Sequence, residues 1–177
     1  MVSLDNTALS ILLFKSSRVP LDFRTKQPIH NARERMEVLV SDLSRKGEKI
    51  LIPDPALSEF LVTAVFAGAS VQDYLKIITD AQYVTTKPFG VRAAVEVAER
   101  LAAAIKLGDK REGEKREPWE KLKFDRQIVA ISIVEGARAI YSTDEDIHNQ
   151  ASRWGLSALS PADLPPLNVQ EQMFEKD

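Results

Sequence analysis

Short apolar runs of four to six residues alternate along the chain with longer segments in which apolar positions recur every three or four residues. The runs "MVSL" (1–4), "KILIP" (49–53), "AQYVTT" (81–86) and "RAIYS" (138–142) read as strands, with "GLSALSP" (155–161) as a last short one. The segments between them carry helix signals. "NTALSILLF" follows the first strand, and a second helix runs from a cap at Asn31 to about Lys46, stopped by Gly47. "DPALSEFLVTAVFAGAS" starts with Asp54 as cap and Pro55 in the first turn, and Val71 to Thr79 follows as a fourth helix. In "FGVRAAVEVAERLAAAIKLG" the residues Val91, Ala94, Val95, Ala98, Leu101 and Ile105 share one face, the stripe of an amphipathic helix. "RQIVAISIVEG" and "DEDIHNQASRW" complete the set. Strands alternating with helices, without hairpin signals, predict an α/β domain with a mainly parallel central sheet and helices on both faces. We expect one domain over residues 1–164, with Asp109 to Lys123 as a charged insertion and 165–177 as a polar tail.

Composition narrows the chemistry. A formal net charge of -2 excludes a protein that coats nucleic acid by bulk charge, while leaving room for a local basic groove. There is no cysteine, which removes disulfides, thiolate zinc sites and a cysteine nucleophile together. Only His30 and His148 are present, so a Ser-His-Asp triad has few bases, whereas carboxylates are plentiful. No segment is long enough to span a bilayer, and Asp5 precedes the apolar run "ALSILLF" where a signal peptide carries positive charge. The expectation is a cytoplasmic protein without a membrane partner.

Among the carboxylates, position matters. Ligands of open parallel sheets bind beyond the carboxyl ends of the strands. Asp5 follows the first strand, and Asp144 and Asp146 follow "RAIYS". Glu59 is the only charged residue between Pro55 and Gln72, on a helix apolar on nearly every side. A buried carboxylate there needs a partner, an arginine from elsewhere in the fold or a metal. Structural readings stand beside these. Asp5 and Asp125 each suit a helix cap, and Thr143 with Asp146 has capping-box spacing. Taken as a set, the acids form an oxygen-rich site of the kind that holds Mg²⁺ or Mn²⁺.

The stretches "VSLDNTALSILL", "LIPDPALSEFL" and "FDRQIVAISIVEGARAIYSTDED", in this order, resemble the PIN-domain nucleases, in particular the VapC-type toxin ribonucleases. The resemblance extends from Met1 to about Pro165 and implies a PIN-like three-layer α/β/α fold. It places the family's four acids on Asp5, Glu59, Asp125 and Asp144, with Asp146 as a further metal ligand. Asn6 and Thr143 fall on auxiliary positions, although "NT" after Asp5 inverts the family's usual order. The implied activity is divalent-metal-dependent cleavage of RNA, with an antitoxin protein and a second copy of the chain as partners. Arg18, Arg24, Lys26 and Arg126 are candidates for phosphate contacts, and Phe23, Trp119 and Tyr141 for base stacking. His148, four residues after Asp144, is a candidate ligand or an exposed helix histidine. The alternatives are a nuclease acting on DNA or structured RNA, and a PIN-like module without catalysis that binds protein. A nucleotide-binding domain ranks last, because no glycine-rich loop follows the first strand.

Overall fold

In the computed structural model, residues 1–14, 19–113 and 118–166 are described. Five strands, β1 (Val2–Leu4), β2 (Ile50–Pro53), β3 (Val84–Lys87), β4 (Ala139–Tyr141) and β5 (Ser157–Leu159), form one sheet in the order β3-β2-β1-β4-β5. Every pairing is parallel. The helices are α1 (Asn6–Leu13), α2 (Ala32–Arg45), α3 (Asp54–Phe66), α4 (Val71–Asp80), α5 (Val91–Lys106), α6 (Trp119–Val134) and α7 (Glu145–Arg153). A 3₁₀ turn at Pro161–Asp163 follows β5.

The period of two along each strand divides the core between the two faces of the sheet. Val2 and Leu4 of β1, Ile50 and Ile52 of β2 and Tyr141 of β4 join one cluster with Leu9, Met36, Phe60 and Ile78. Leu51 and Ile140 point the other way, into a second cluster with Ile128, Val129, Ile131, Ile147 and Trp154. Ser3 also faces this side, and Ser132 on α6 donates a 2.8 Å hydrogen bond to its Oγ. Helices therefore cover both faces, and the expected three-layer α/β/α arrangement is the observed one, with an entirely parallel sheet.

Several elements differ from expectation. Asp54 is the first residue of α3 and Pro53 its cap; Asn31 holds the cap position of α2 in a left-handed conformation (φ 53°) without capping through its side chain. Helix α3 is not buried all round: it buries Pro55, Ala56, Phe60 and Ala64 and leaves Val62, Val65 and Phe66 exposed, Phe66 at 88%. It crosses the end of the sheet against α1, α4 and α6, so only one stripe meets protein.

The apolar stripe of α5 faces outward, with Val91, Val95 and Ile105 exposed. The helix packs on α6 through the opposite stripe, where Ala93 and Ala104 are buried and Val97 joins the second cluster. Its Arg100 lies over the Trp154 ring at 5.8 Å. Small side chains permit the close approach, which total hydrophobicity does not reveal.

Helix α6 begins at Trp119 behind a Pro118 cap, so Asp125 lies inside the helix rather than capping it. The end of the charge-dense stretch is thus the first turns of α6. The start of the stretch is tied down by Glu112, at φ 54°, whose carboxylate accepts from Arg126 at 2.9 Å and from the Trp154 indole at 3.1 Å.

Candidate active site

β1 and β4 are parallel neighbours at the middle of the sheet, and the chain leaves them toward opposite faces. After β1 it enters α1, which packs in the first cluster through Ala8, Leu9 and Ile11; after β4 it enters α7, which packs in the second through Ile147 and Ala151. The divergence opens a crevice at the carboxyl ends of the two strands, where open α/β sheets bind ligands.

Asp5 stands at the floor of this crevice, fully buried. Its Oδ1 accepts from the Ala8 amide at 2.8 Å, capping α1, and from the Thr7 hydroxyl at 2.8 Å. Its Oδ2 accepts from Ser142 Oγ at 2.5 Å. Burial pushes the Asp5 carboxyl up to about 6, against the lowering effect of these donors, with the Asp144 charge raising it further. Ser142 Oγ in turn accepts from the Asp144 amide at 2.8 Å, so one hydroxyl joins the acids that follow β1 and β4. The Thr143 amide donates to Thr7 Oγ1 at 2.9 Å. The hydroxyls that orient Asp5 are thus those of Thr7 and Ser142, each one residue from the expected Asn6 and Thr143. Asp144 caps α7 by accepting from the Asp146 amide at 2.8 Å, which replaces the expected Thr143–Asp146 capping box.

The other acids arrive from the helices across the crevice. Asp125, on α6, is 4% exposed, and its Oδ2 has no hydrogen-bond partner. Burial pushes its carboxyl up to about 7; the Lys121 charge opposes this, while Asp144, Asp146 and Glu59 add to it. Glu59, on α3, is partly buried and also raised, by burial first and then by Asp144, with Lys121 lowering it. Each acid is therefore within electrostatic range of others in the group.

The sequence reading missed the residue at the centre. Lys121, four residues before Asp125 on α6, directs its ammonium among the acids. Nζ is 3.2 Å from Asp144 Oδ2, bonds Asp146 Oδ2, and lies 3.5 Å from Asp125 Oδ2, an ion contact rather than a hydrogen bond. Burial alone would lower the lysine pKa, but the Asp146 hydrogen bond and the charges of Asp125, Asp144 and Asp146 hold it above the ordinary lysine value. The available signal was its i, i+4 spacing from Asp125, hidden while the helix was taken to start at that acid.

The expected phosphate-binding residues are dispersed. Arg126 is 2% exposed, turned into the interior with its Nη2 on Glu112 and the Lys110 carbonyl, so it is withdrawn from any ligand in the crevice. Arg24 is held by Asp22 and Asp163. Lys26 is exposed beside Glu145 at 3.4 Å, and Arg18 lies outside the described residues. Among the stacking candidates, Phe23 packs on His148, Tyr141 is buried, and the Trp119 ring has Lys110 4.4 Å from its centroid. His148 is buried, its Nε2 2.9 Å from the Ser142 carbonyl, and belongs to the packing beneath the site.

An all-carboxylate donor set suits a hard divalent cation. Asp125 Oδ2, buried without a hydrogen-bond donor, is an acceptor such an ion would satisfy. With the ammonium of Lys121 between them, no three acids among the described residues converge closely enough to enclose a metal.

No protein-family model and no curated protein matches the chain. Among solved structures, it is similar to a chain of FitAB bound to an IR36 DNA fragment, at 14% identity and a TM-score of 0.55, covering 95% of this chain and 100% of that one. It is likewise similar to a chain of FitAcB from Neisseria gonorrhoeae, at 14% identity and a TM-score of 0.54, covering 93% and 100%. At this identity the likeness is one of fold, and the PIN-like architecture expected from the sequence is the one observed.

Proposed function

We propose that this chain is a nuclease that hydrolyses RNA phosphodiester bonds at the carboxylate cluster, with Mg²⁺ or Mn²⁺ bound there. The observation that carries the reading is the meeting of Asp5, Glu59, Asp125, Asp144 and Asp146, from the ends of β1 and β4 and from α3, α6 and α7, in one crevice of a chain whose net charge is only -2. Acids are gathered against their mutual repulsion, and folding gains nothing from that by itself. The resemblance to VapC-type toxins supports RNA as substrate, a cytoplasmic setting, an antitoxin that fills the crevice, and a second copy of the chain.

Asp5, Glu59, Asp125, Asp144 and Asp146 would hold the cation, which when bound would supply a water of lowered pKa and neutralise charge on the phosphate. The chain's own residues fix the geometry. Thr7, Ser142 and the Ala8 amide hold both oxygens of Asp5 in place, leaving that carboxylate little freedom to turn. The Asp146 amide does the same for Asp144 Oδ1. The strand ends and the helices that carry Glu59 and Asp125 thus set the spacing of the acids before any ligand arrives. Lys26, exposed beside Glu145 at the start of α7, is a basic side chain that could meet a phosphate backbone from solvent.

The test is cleavage of a pool of labelled RNAs by the purified chain with Mg²⁺, with Mn²⁺ and with EDTA, beside Asp5→Asn and Asp125→Asn. Cleavage that requires metal and falls by about a thousandfold or more in either variant is expected. Equal cleavage by the variants would assign the activity to a contaminant and leave a protein-binding module. The same assay on single- and double-stranded DNA distinguishes the DNA reading.

A further inference from the structure

Lys121 leaves the acidic crevice already holding a cation. Its ammonium contacts Asp125, Asp144 and Asp146, and its charge reaches Glu59. Because α6 begins at Trp119, Lys121 and Asp125 share one helix face, and the lysine stem is carried over the acids by the helix itself. A divalent ion bound to the same oxygens would stand within a few ångströms of Nζ, where like charges repel strongly in a partly buried site. The side chain is one-third exposed and its four-carbon stem is flexible, so it can leave toward solvent without moving the helix.

We infer that Lys121 is the resident counter-ion of this cluster, and that a divalent cation loads only by displacing its ammonium. The side chain thereby sets the metal concentration at which the crevice becomes a metal site. This rests on the reading of the cluster as a metal-dependent active site. It also accounts for two facts at once: the acids are brought together in a stable fold, yet no three of those described enclose a metal while the ammonium is seated.

The experiment is a titration of Mn²⁺ against the full chain, following the spin-resonance signal of the free ion, for the natural protein and for Lys121→Met, Lys121→Arg, Asp125→Asn and Lys106→Met. We expect Lys121→Met to bind Mn²⁺ at least about tenfold more tightly than the natural chain. Lys121→Arg keeps the charge and should stay within about threefold of it. Lys106→Met, on the exposed end of α5, changes net charge equally and should leave the affinity unaltered. Circular dichroism checks that each variant is folded; if Met at position 121 is not tolerated, Lys121→Gln is read in its place. Mn²⁺ binding that Asp125→Asn abolishes but the neutral Lys121 variants leave equal or weaker would overturn displacement while the metal site stands. No binding by the natural chain or by Lys121→Met at millimolar Mn²⁺ would overturn both.

Discussion

Ser142 has one hydroxyl and serves two acids with it: Oγ donates to Asp5 and accepts from the Asp144 amide. Replacing it with alanine leaves the Asp144 amide without its partner and Asp5 Oδ2 with only the Thr7 hydroxyl, 3.0 Å away and shared with Oδ1. Ser142→Ala should therefore cost about 1–3 kcal/mol of stability, read as a lower urea midpoint at unchanged slope. Sequence spacing pointed to the acids but not to this hydroxyl, because adjacent Ser142 and Thr143 are chemically equivalent until the strand pleat aims one inward. Titration gives a second prediction at this scale. Asp5 and Asp125 have folded pKa values raised to about 6 and about 7 from an ordinary 3.8. The folded chain then binds more protons than the unfolded one across that interval. Their contribution to metal-free stability is fully present below the ordinary value and is lost as pH rises through about 4 to 7. Thermal melts in EDTA should show a lower Tm at pH 7.5 than at pH 5. Asp125→Asn should flatten that difference; an unchanged slope would remove Asp125 as its source.

At the scale of elements, α5 shows what helical periodicity can and cannot decide. The period announced a helix from Val91 onward, and a helix is there. Two stripes satisfy the period, a bulky one through Val91, Val95 and Ile105 and a smaller one through Ala93, Val97 and Ala104. The neighbour selects between them, and α6 lies against the smaller. Val95→Glu should consequently change monomer stability by no more than about 0.5 kcal/mol, whereas Ala104→Leu should cost about 1–3 kcal/mol by overpacking. If the exposed stripe joins two copies, Val95→Glu will also reduce the mass measured by light scattering. Helix α6 teaches the complementary point: its charged first turns resemble a solvated loop in composition, so its start was placed seven residues late and Lys121 went unnoticed.

For the whole molecule, alternation of strand and helix was sufficient to predict a parallel α/β sheet, but not the order of its strands. A three-residue apolar strand looks alike at the centre and near an edge, and only packing places β1 between β2 and β4. Helix α6 is buried through most of the stretch from Asp125 to Ser132, while α3 and α5 present apolar side chains to solvent. Hydrogen exchange should thus be slowest in Val2–Leu4, Ala139–Tyr141 and the second half of α6, and faster by orders of magnitude at the ends of α3 and α5. Uniform protection would contradict a core centred on β1.

The bond between Ser142 and Asp5 spans 137 residues of chain. During synthesis at about 5–20 residues per second, Asp5 therefore waits on the order of ten seconds for the hydroxyl that orients it. Asp125 and Lys121 emerge almost together, late in that interval, so the acid on α6 is made already paired with its own cation. A nascent chain holds only part of the crevice, and the full arrangement of its acids appears with the docking of β4 against β1. The gathering of the acids is thereby postponed until the domain is nearly finished, by topology alone.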